Sequence, residues 1–263
     1  MLGAERRVRI KKLLHEEGSV KVSRLSKLFN VSEVTIRRDL AKLEKERAIK
    51  RIHGGAMAAD SDAPTFSFLS RAQEQAKEKE LIGKKAAELI KDGSTIILDS
   101  GTTTSEIAKN LKKYRNLKVI TNALNIALEL ADSPGISVVV PGGALKPPSL
   151  SLTGSRVVEF IKNVNVDMTF LSVQGVSLKE GLTNNSISDL YLKRAIIDAA
   201  RQVHLVVDSS KFNKVGLYTI GPITVVDTIV TDGNVPRSLV RHLSSKKVKV
   251  ILARPRAYLI KNS

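Results

Sequence analysis

The sequence has no cysteine among its 263 residues, which excludes disulfides, thiolate metal sites and a cysteine nucleophile. Its four histidines lie far apart, so no stretch has the spacing of a zinc site: His15, His53, His204 and His242. No apolar run approaches the ~18 residues that cross a bilayer, and Met1–Arg7 has no apolar core that would serve as a signal peptide. We therefore expect a cytoplasmic protein with no membrane partner, no metal site and no cofactor.

Acidic residues are too few to balance the basic ones, since 26 Asp and Glu stand against 43 Lys and Arg, a net charge of +17. Residues 1–57 carry 15 basic and 7 acidic side chains, a net +8, and residues 58–263 carry a net +9. The excess per residue is about three times denser at the N-terminus. A small, dense basic unit is typical of nucleic-acid-binding domains, although a solvated basic surface gives the same count.

The composition changes over Ala56–Pro64, which is small, polar and without periodicity, as in a linker. Hydrophobic residues make up 42% of the chain, enough for a sizeable core. We therefore predict a small basic domain over residues 1–57, a linker over 58–72 and a larger domain over 73–263.

Three helices are predicted before the linker, and the third has Ser32 as its N-cap. Ile36, Leu40 and Leu43 follow at helical spacing and point inward. A short helix, a tight turn and a longer helix predict a helix-turn-helix, whose second helix enters the major groove of DNA. The polar residues expected to face DNA there are Ser32, Thr35, Arg37, Arg38 and Lys42. The alternative for the arginine pair is a surface ion pair with Asp39 or Glu33.

The segment Ile49–Gly55 alternates apolar and basic residues before two glycines, which predicts a β-hairpin wing. Lys50, Arg51 and His53 are expected near phosphates or in the minor groove. For His53 alone, a surface histidine without a DNA role fits as well.

The larger domain alternates apolar strands with helices. Strands are predicted at Thr95–Leu98, Lys118–Thr121, Ile136–Val140, Met168–Val173, Val203–Val207, Thr228–Thr231 and Val248–Leu252. Helices are predicted over residues 73–91, 104–113, 124–132, 155–162, 188–202 and 236–244. This order predicts an α/β fold with a doubly wound, mostly parallel sheet.

Ligands of such sheets bind outside the carboxyl ends of the strands, where this chain has small, polar and glycine residues. After the first strand, Asp99–Thr104 opens a helix with hydroxyls and free N–H groups, which suits a phosphate. The residues expected to bind an anionic ligand are Asp99, Ser100, Gly101, Thr102, Thr103, Thr104, Thr121, Asn122, Gly142, Gly143, Gln174, Gly175 and Lys211. Each of these has an alternative without a ligand. Asp99–Thr104 fits ordinary helix capping, Gly142–Gly143 fits a simple turn, and Lys211 fits a solvated surface lysine.

The run Ser32–Leu40, followed by Arg51–Ala56, resembles the DNA-binding signature of DeoR-type bacterial transcriptional repressors. This resemblance implies a winged helix-turn-helix that binds double-stranded operator DNA. The chain departs from the family at Arg47, where glycine is usual. A left-handed helix cap at Arg47 would cost roughly 1 kcal/mol or more, and a helix that continues past it would shift the wing.

The larger domain resembles the sensor half of the same repressors, on motifs that include Asp99–Thr103, Thr121–Asn122 and Asp208–Phe212. That half is similar in fold to ribose-5-phosphate isomerase and generally senses phosphorylated sugars or related metabolites. The family's usual glutamate four residues before Lys193 is Asp189 here, which adds Asp189 to the expected effector site. The resemblance implies a regulator, in the first place a repressor, of a carbohydrate-metabolism operon. We expect a homo-oligomer, dimer or tetramer, whose subunits associate through the larger domain.

A sugar-phosphate isomerase with an appended DNA-binding arm is the competing interpretation. Such an enzyme needs a carboxylate base, and the related isomerases carry Asp-Gly-Ala-Asp where this chain has Ser172–Gly175. Lys193 stands at the position that aligns with their general base, and a lysine ammonium accepts no proton. Asp99, Asp167 and Asp189 remain as acids, none with a second carboxylate at a suitable spacing. We therefore predict ligand binding without turnover and no catalytic residue.

Overall fold

The computed structural model describes residues 2–17, 19–46, 48–52, 54–58 and 68–255. The chain forms two compact units, residues 1–66 and 67–263. The linker predicted over 58–72 differs at both ends from the structure, because a strand ends at Ala58 and a helix begins at Phe68.

The described residues of the N-terminal unit form three helices and three short strands. They are α1 (Gly3–Glu17), β1 (Ser19–Lys21), α2 (Val22–Phe29), α3 (Glu33–Lys45), β2 (Ile49–Ile52) and β3 (Gly55–Ala58). The strands form an antiparallel sheet in the order β1-β3-β2, and β2 and β3 are the predicted wing. The winged helix-turn-helix is therefore confirmed. Strand β1 was not predicted, because three residues are too few to show an alternating pattern.

The second unit alternates helices and strands. Its helices are α4 (Phe68–Gln73), α5 (Ala76–Ala87), α6 (Thr102–Lys109), α7 (Leu124–Leu130), α8 (Ser155–Lys162), α9 (Ile187–Asp198) and α10 (Arg237–Ser245). Its strands are β4 (Thr95–Leu98), β5 (Leu117–Thr121), β6 (Ile136–Val139), β7 (Ala144–Lys146), β8 (Ser151–Thr153), β9 (Val166–Leu171), β10 (Gly175–Ser177), β11 (Gly181–Asn184), β12 (Ala200–Val206), β13 (Tyr218–Gly221), β14 (Thr228–Asp232) and β15 (Lys249–Ala253).

Seven of these strands form one parallel sheet in the order β15-β14-β12-β9-β4-β5-β6. From β4 the chain winds outward through β5 to β6, and it then returns to the other side of β4 as β9. The winding direction therefore reverses between β4 and β9. A reversal of this kind opens a crevice at the carboxyl ends of the two strands.

Apolar cores cover both faces of this sheet because side chains alternate along each strand. On β4, Ile97 packs into the core beneath α8, α9 and α10, whereas Ile96 and Leu98 pack into the core beneath α5, α6 and α7. The predicted doubly wound α/β fold is thus confirmed, and all seven predicted strands lie in the sheet.

Two predicted helices were wrong in their extent. The helix predicted over residues 73–91 is interrupted between α4 and α5, where Gln75 adopts a left-handed conformation with φ +49°. The helix predicted over 188–202 ends at Asp198, and β12 begins at Ala200. Helical periodicity alone did not mark either boundary. Among the described residues, no helix combines the length and the apolar character needed to cross a membrane.

His204 lies on β12 and is 5% exposed, with its ring stacked on Phe170 at 5.1 Å between centroids. Neither ring nitrogen has a hydrogen-bond partner among the residues that the structure describes. Burial lowers the pKa of His204 below its ordinary value of 6.5, and Asp227 opposes part of that effect.

The unfolded chain therefore binds a proton on His204 more readily than the folded chain does. The free energy of unfolding should be highest above pH 6.5 and should fall as the pH drops below it. We expect His204→Phe to raise the free energy of unfolding by about 1 kcal/mol at pH 7 and to flatten this acid dependence. Urea unfolding between pH 5 and 8 tests it, with His242→Phe, at an exposed position of α10, as the control. An equally steep acid loss in His204→Phe would contradict the assignment.

Candidate functional site

The recognition helix α3 begins at a capped N-terminus. Ser32 Oγ accepts a hydrogen bond from the backbone N–H of Thr35 at 3.3 Å, and the two hydroxyl oxygens lie 2.9 Å apart. Both predicted DNA-facing hydroxyls therefore also order the first turn of α3. Helix α3 ends at Lys45, and Arg47 lies outside the described residues.

The buried face of α3 carries Ile36, Leu40 and Leu43, as predicted. Its opposite face exposes Arg37, Arg38 and Lys42. Val34 lies on the exposed side as well, at 60% exposure, and sequence reasoning did not single it out. A valine at that position offers methyl groups to the thymine methyl, a contact that specifies a base in the major groove.

A buried ion pair holds α3 against α1. Asp39 Oδ2 accepts from Arg6 Nε at 2.6 Å, and Arg7 Nη1 lies 3.4 Å from Asp39 Oδ1. Asp39 is thus not the partner of the arginine pair. Arg37 instead contacts Glu33 at 3.0 Å in an exposed pair, whereas Arg38 makes no ion pair with any described residue. An exposed pair of this kind holds an arginine only weakly, so Arg37 remains available to DNA.

The wing carries basic residues beside α3. The backbone N–H of Arg51 donates to Glu44 Oε1 at 3.1 Å, and its guanidinium lies 3.8 Å from Glu44 Oε2. Lys50 pairs with Met57 in the β2–β3 ladder, and only its backbone is described. His53 lies outside the described residues.

The second candidate site lies at the crevice between β4 and β9. Asp99 directly follows β4 and is 1% exposed. The ammonium of Lys193, on α9, donates to Asp99 Oδ2 and, at 2.7 Å, to the backbone carbonyl of Ser172, which directly follows β9. A single lysine therefore bridges the ends of both strands at the reversal of the winding.

The Asp99 carboxylate is held on several sides. It accepts from the backbone N–H groups of Ser100 at 2.8 Å and of Ser172 at 3.1 Å. Burial raises the pKa of Asp99 above its ordinary value, and the neighbouring Lys193 ammonium opposes this rise. Lys193 was noted in the sequence only as a residue that cannot act as a base, and its place in the site was missed.

The predicted phosphate cradle forms the N-terminus of α6. A side chain at Gly101 would place Cβ 2.8 Å from Ser172 Cβ, so glycine permits the close approach of the two strand ends. Thr102, Thr103 and Thr104 are buried. The Thr104 hydroxyl donates to the Gly101 carbonyl at 2.9 Å, so the donors left for an anion are the backbone N–H groups of the first turn and the hydroxyls of Thr102 and Thr103.

The end of β5 contributes a hydroxyl that ties two strands together and an amide oxygen that is available to a ligand. Thr121 Oγ1 donates to the Leu98 carbonyl at 2.7 Å and accepts from the Ala123 N–H at 3.1 Å, which ties β5 to β4. Asn122 is 3% exposed, and its Nδ2 donates to the Leu152 carbonyl at 3.3 Å. Asn122 Oδ1 is buried with no hydrogen-bond partner among the described residues, so it is an acceptor suited to a ligand hydroxyl.

Backbone conformation or packing explains the glycines at three of the predicted positions, Gly142, Gly143 and Gly175. Gly142 and Gly143 form an exposed turn with positive φ after β6, and a Cβ at Gly143 would lie 2.6 Å from Val157. The sheet order places β6 at the edge, separated from β4 by β5. Gly175 lies in β10, where a Cβ would lie 2.4 Å from the Lys214 carbonyl.

Gln174 and Asp189 meet through Asn184. The Gln174 N–H donates to Asn184 Oδ1 at 3.0 Å, and Asn184 Nδ2 donates to Asp189 Oδ2 at 3.0 Å. The charge of Asp189 raises the pKa of Asp99, so Asp189 lies in the electrostatic environment of the crevice.

Two further cations come from α4 and α5 and were missed in the sequence. Lys79 is 3% exposed, and its ammonium donates to the carbonyls of Arg71 and Glu74. Burial lowers the pKa of both Lys79 and Arg71. The charge of Asp208 opposes the shift at Lys79, as that of Asp189 does at Arg71. Neither residue stands out in a sequence rich in basic residues. What distinguishes them is that the fold brings them near carboxylates that are far away along the chain.

Lys211 lies in the short 3₁₀ turn Ser209–Lys211 after β12. Its charge lowers the pKa of Lys79, so the two cations are neighbours. Asp208 caps the turn by accepting from the Ser210 N–H at 3.0 Å. Within the described ranges, no three metal-ligating side chains come together.

Family models of known proteins match both units of the chain. The DeoR-like helix-turn-helix domain matches residues 6–62, and the DeoR C terminal sensor domain matches residues 74–233. The chain is 37% identical to the putative aga operon transcriptional repressor of Escherichia coli O157:H7, over 95% of this chain and 93% of that protein. It is 35% identical to the glycerol-3-phosphate regulon repressor of Escherichia coli strain K12, over 91% and 95% of the two chains.

A solved structure of ribose 5-phosphate isomerase A from Methanocaldococcus jannaschii is 17% identical, with a TM-score of 0.39 over 52% of this chain and 55% of that one. The relatives that span nearly the whole chain are named as transcriptional regulators, which does not favour the isomerase alternative. Two family models together match most of the sequence. The chain therefore belongs to the DeoR family of DNA-binding transcriptional regulators.

Proposed function

We propose that this regulator represses a carbohydrate-metabolism operon in the bacterial cytoplasm and that a phosphorylated sugar controls its binding to the operator. The observation that carries the effector part is the crevice between β4 and β9, where Lys193 bridges Asp99 and Ser172 beside the N-terminus of α6. Relatives named for the aga operon and the glycerol-3-phosphate regulon support this class of target.

The operator is read by α3 and held by the wing. Arg37 and Arg38 are exposed on α3, and an arginine fork matches O6 and N7 of guanine. The phosphate contacts come from residues around this pair: Ser32, Thr35, Lys42 and Arg51. Lys50 and His53, which the sequence predicts to face DNA, supply further phosphate contacts. Helix-turn-helix proteins bind half-sites in pairs, which supports a homo-oligomer.

The effector phosphate binds at the N-terminus of α6, with cations from Lys211, Lys79 and Arg71 nearby. The sugar hydroxyls meet Asn122 Oδ1 and the network of Asp189 with Gln174. An effector that prefers the arrangement with low operator affinity weakens DNA binding by the difference between its two affinities, typically 1–3 kcal/mol.

Arg38→Ala is expected to weaken operator binding by about 1–3 kcal/mol and to relax specificity at one base pair. The physical reason is the loss of a guanidinium that makes no competing ion pair among the described residues. Binding to a selected operator and to single-base variants, measured by fluorescence anisotropy at fixed salt, tests this. Arg241→Ala on exposed α10 controls for the lost charge. If the Arg38→Ala protein kept its base preference, Arg38 would not be one of the residues that read the bases.

A screen of phosphorylated sugars and their unphosphorylated partners by thermal shift tests the effector. A ligand at 100 times its Kd raises stability by about 2.7 kcal/mol. Lys211→Ala is expected to weaken that ligand by about tenfold or more, because a charge-assisted hydrogen bond contributes roughly 1.5–3 kcal/mol. Lys214→Ala, an exposed lysine of the same loop, is the matched control. If no phosphorylated sugar raised the melting temperature even at high concentration, the proposed class of effector would be overturned.

A further inference from the structure

Four exposed apolar residues gather at the N-terminal end of α9. Ile187 and Tyr191 are 51% and 56% exposed, and Val215 and Leu217 are 57% and 75% exposed. The Leu217 N–H donates to Asn185 Oδ1 at 3.0 Å, which brings the segment before β13 against the start of α9. We call these four residues the α9 apolar face.

Glycine makes this approach close. A Cβ at Gly216 would lie 2.8 Å from the backbone of Asn184, so the segment that carries Val215 and Leu217 rests directly on the residues before α9. The four apolar side chains therefore belong to one region of the surface rather than to scattered positions. Exposed apolar side chains gathered in one region of a surface mark an interaction site.

A groove between α8 and α9 extends the α9 apolar face. It encloses about 540 Å³ and is lined by Gly154, Val158, Glu159 and Lys162 on one side and by Tyr191 on the other. Tyr191 belongs to both the groove and the face. The surface thus combines a recess with projecting apolar side chains, of which Leu217 is the most exposed.

The charges on the groove favour a second copy of the chain as its occupant. Glu159 and Lys162 are both exposed and lie three residues apart on α8, so they point from the same side of the helix with opposite signs. If two α8 helices meet antiparallel across a two-fold axis, Glu159 of each faces Lys162 of the other. An interface between identical subunits about such an axis must be self-complementary, and the opposite charges of Glu159 and Lys162 satisfy that condition.

We propose that a second copy of this chain binds the α9 apolar face and the adjoining groove, and that this contact forms the homodimer. The proposal rests on the homo-oligomer of the proposed function and names its surface. Because α9 carries Asp189 and Lys193 to the effector crevice on its other side, the same helix serves the subunit contact and the effector site. Binding of the effector and association of the subunits then both act on α9.

Sedimentation velocity of the full chain over a wide concentration range tests the surface. Leu217→Asp and Tyr191→Asp are each expected to weaken self-association at least 100-fold, because the interface would bury a new carboxylate. Leu128→Asp, on α7 at 76% exposure, is the matched control and should sediment as the wild type does. Circular dichroism and the thermal shift with the phosphorylated sugar show whether each variant is folded.

A charge exchange sharpens the test. Glu159→Lys should weaken self-association by about tenfold, because it meets the partner's Lys162, and adding Lys162→Glu should restore it. Self-association of the aspartate variants at wild-type strength, a failure of the exchange to restore it, or a monomeric wild type would each overturn the proposal. A monomeric variant that still binds the phosphorylated sugar leaves the effector site standing, so the two proposals fail separately.

Discussion

Replacing Lys193 with methionine is expected to lower the free energy of unfolding of the second unit by about 3–5 kcal/mol. Lys193 is 4% exposed, and its ammonium neutralises the 1% exposed Asp99. Methionine fills similar space but leaves a buried carboxylate without its counter-ion. Chemical denaturation followed by hydrogen exchange in β4 and β9 measures the loss.

The pH dependence distinguishes an unpaired charge from poor packing. Without Lys193, the pKa of Asp99 rises further, because the cation that opposed the effect of burial is gone. The folded state then favours the protonated acid, so the defect should be smallest at low pH and should grow as the pH rises above the ordinary pKa of an aspartate. A destabilisation equal at pH 5 and pH 8 would indicate packing instead.

Removing the second charge is the control. Asp99→Asn with Lys193→Met should recover part of the lost stability, since no buried charge is left unpaired and the single asparagine oxygen still accepts from one of the Ser100 and Ser172 N–H groups. The double variant should nonetheless bind the phosphorylated sugar weakly, because it lacks the ion pair that joins the ends of β4 and β9 beside the N-terminus of α6. Recovered stability with unimpaired ligand binding would place the effector elsewhere.

Asp39→Ala is expected to cost about 3 kcal/mol of stability in the N-terminal unit and to abolish most operator binding, although Asp39 faces away from the DNA-reading surface. The substitution leaves Arg6, which is 8% exposed, without the carboxylate that lies 2.6 Å away. Helix α3 then loses its tie to α1. A cost of this size lowers the ratio of folded to unfolded unit by about a hundredfold.

Hydrogen exchange at the amides of residues 2–58 measures this loss directly, beside operator affinity. Glu33→Ala is the matched control, since it removes only the exposed pair with Arg37 and should change stability by less than about 0.5 kcal/mol. Binding of the phosphorylated sugar should stay intact in both variants. Full protection of α3 in Asp39→Ala would show that apolar packing alone holds the recognition helix.

Much of the fold could be predicted because its main signals are local. The seven strands of the parallel sheet are buried on both faces and therefore stand out as apolar runs, as Thr95–Leu98 shows. The recognition helix stands out through Ser32 and the spacing of its apolar residues. The three-residue strands β7, β8 and β10 were missed, because segments so short carry no periodicity and form through contacts with other parts of the chain.

The strand ends show where local signals stop. Asp99–Thr104, Gly142–Gly143 and Gln174–Gly175 look alike in the sequence as small or polar segments after strands. In the structure the first and the third follow β4 and β9, the two strands between which the winding reverses, whereas Gly142–Gly143 follows the edge strand β6. Strand order decides which ends converge, and no single segment encodes strand order.

The sequence by itself determines a basic helix-turn-helix with a wing, a second unit of the α/β class, and polar residues at the strand ends. Each of these features depends on residues within about a dozen positions of one another. The fold alone brings Lys193 to Asp99, 94 residues away, and Arg71 to the neighbourhood of Asp189. It also selects Asp39 as the partner of Arg6 rather than of the reading arginines. The reason is physical: a buried charge is stabilised by whichever opposite charge the packing places beside it, at any distance along the chain.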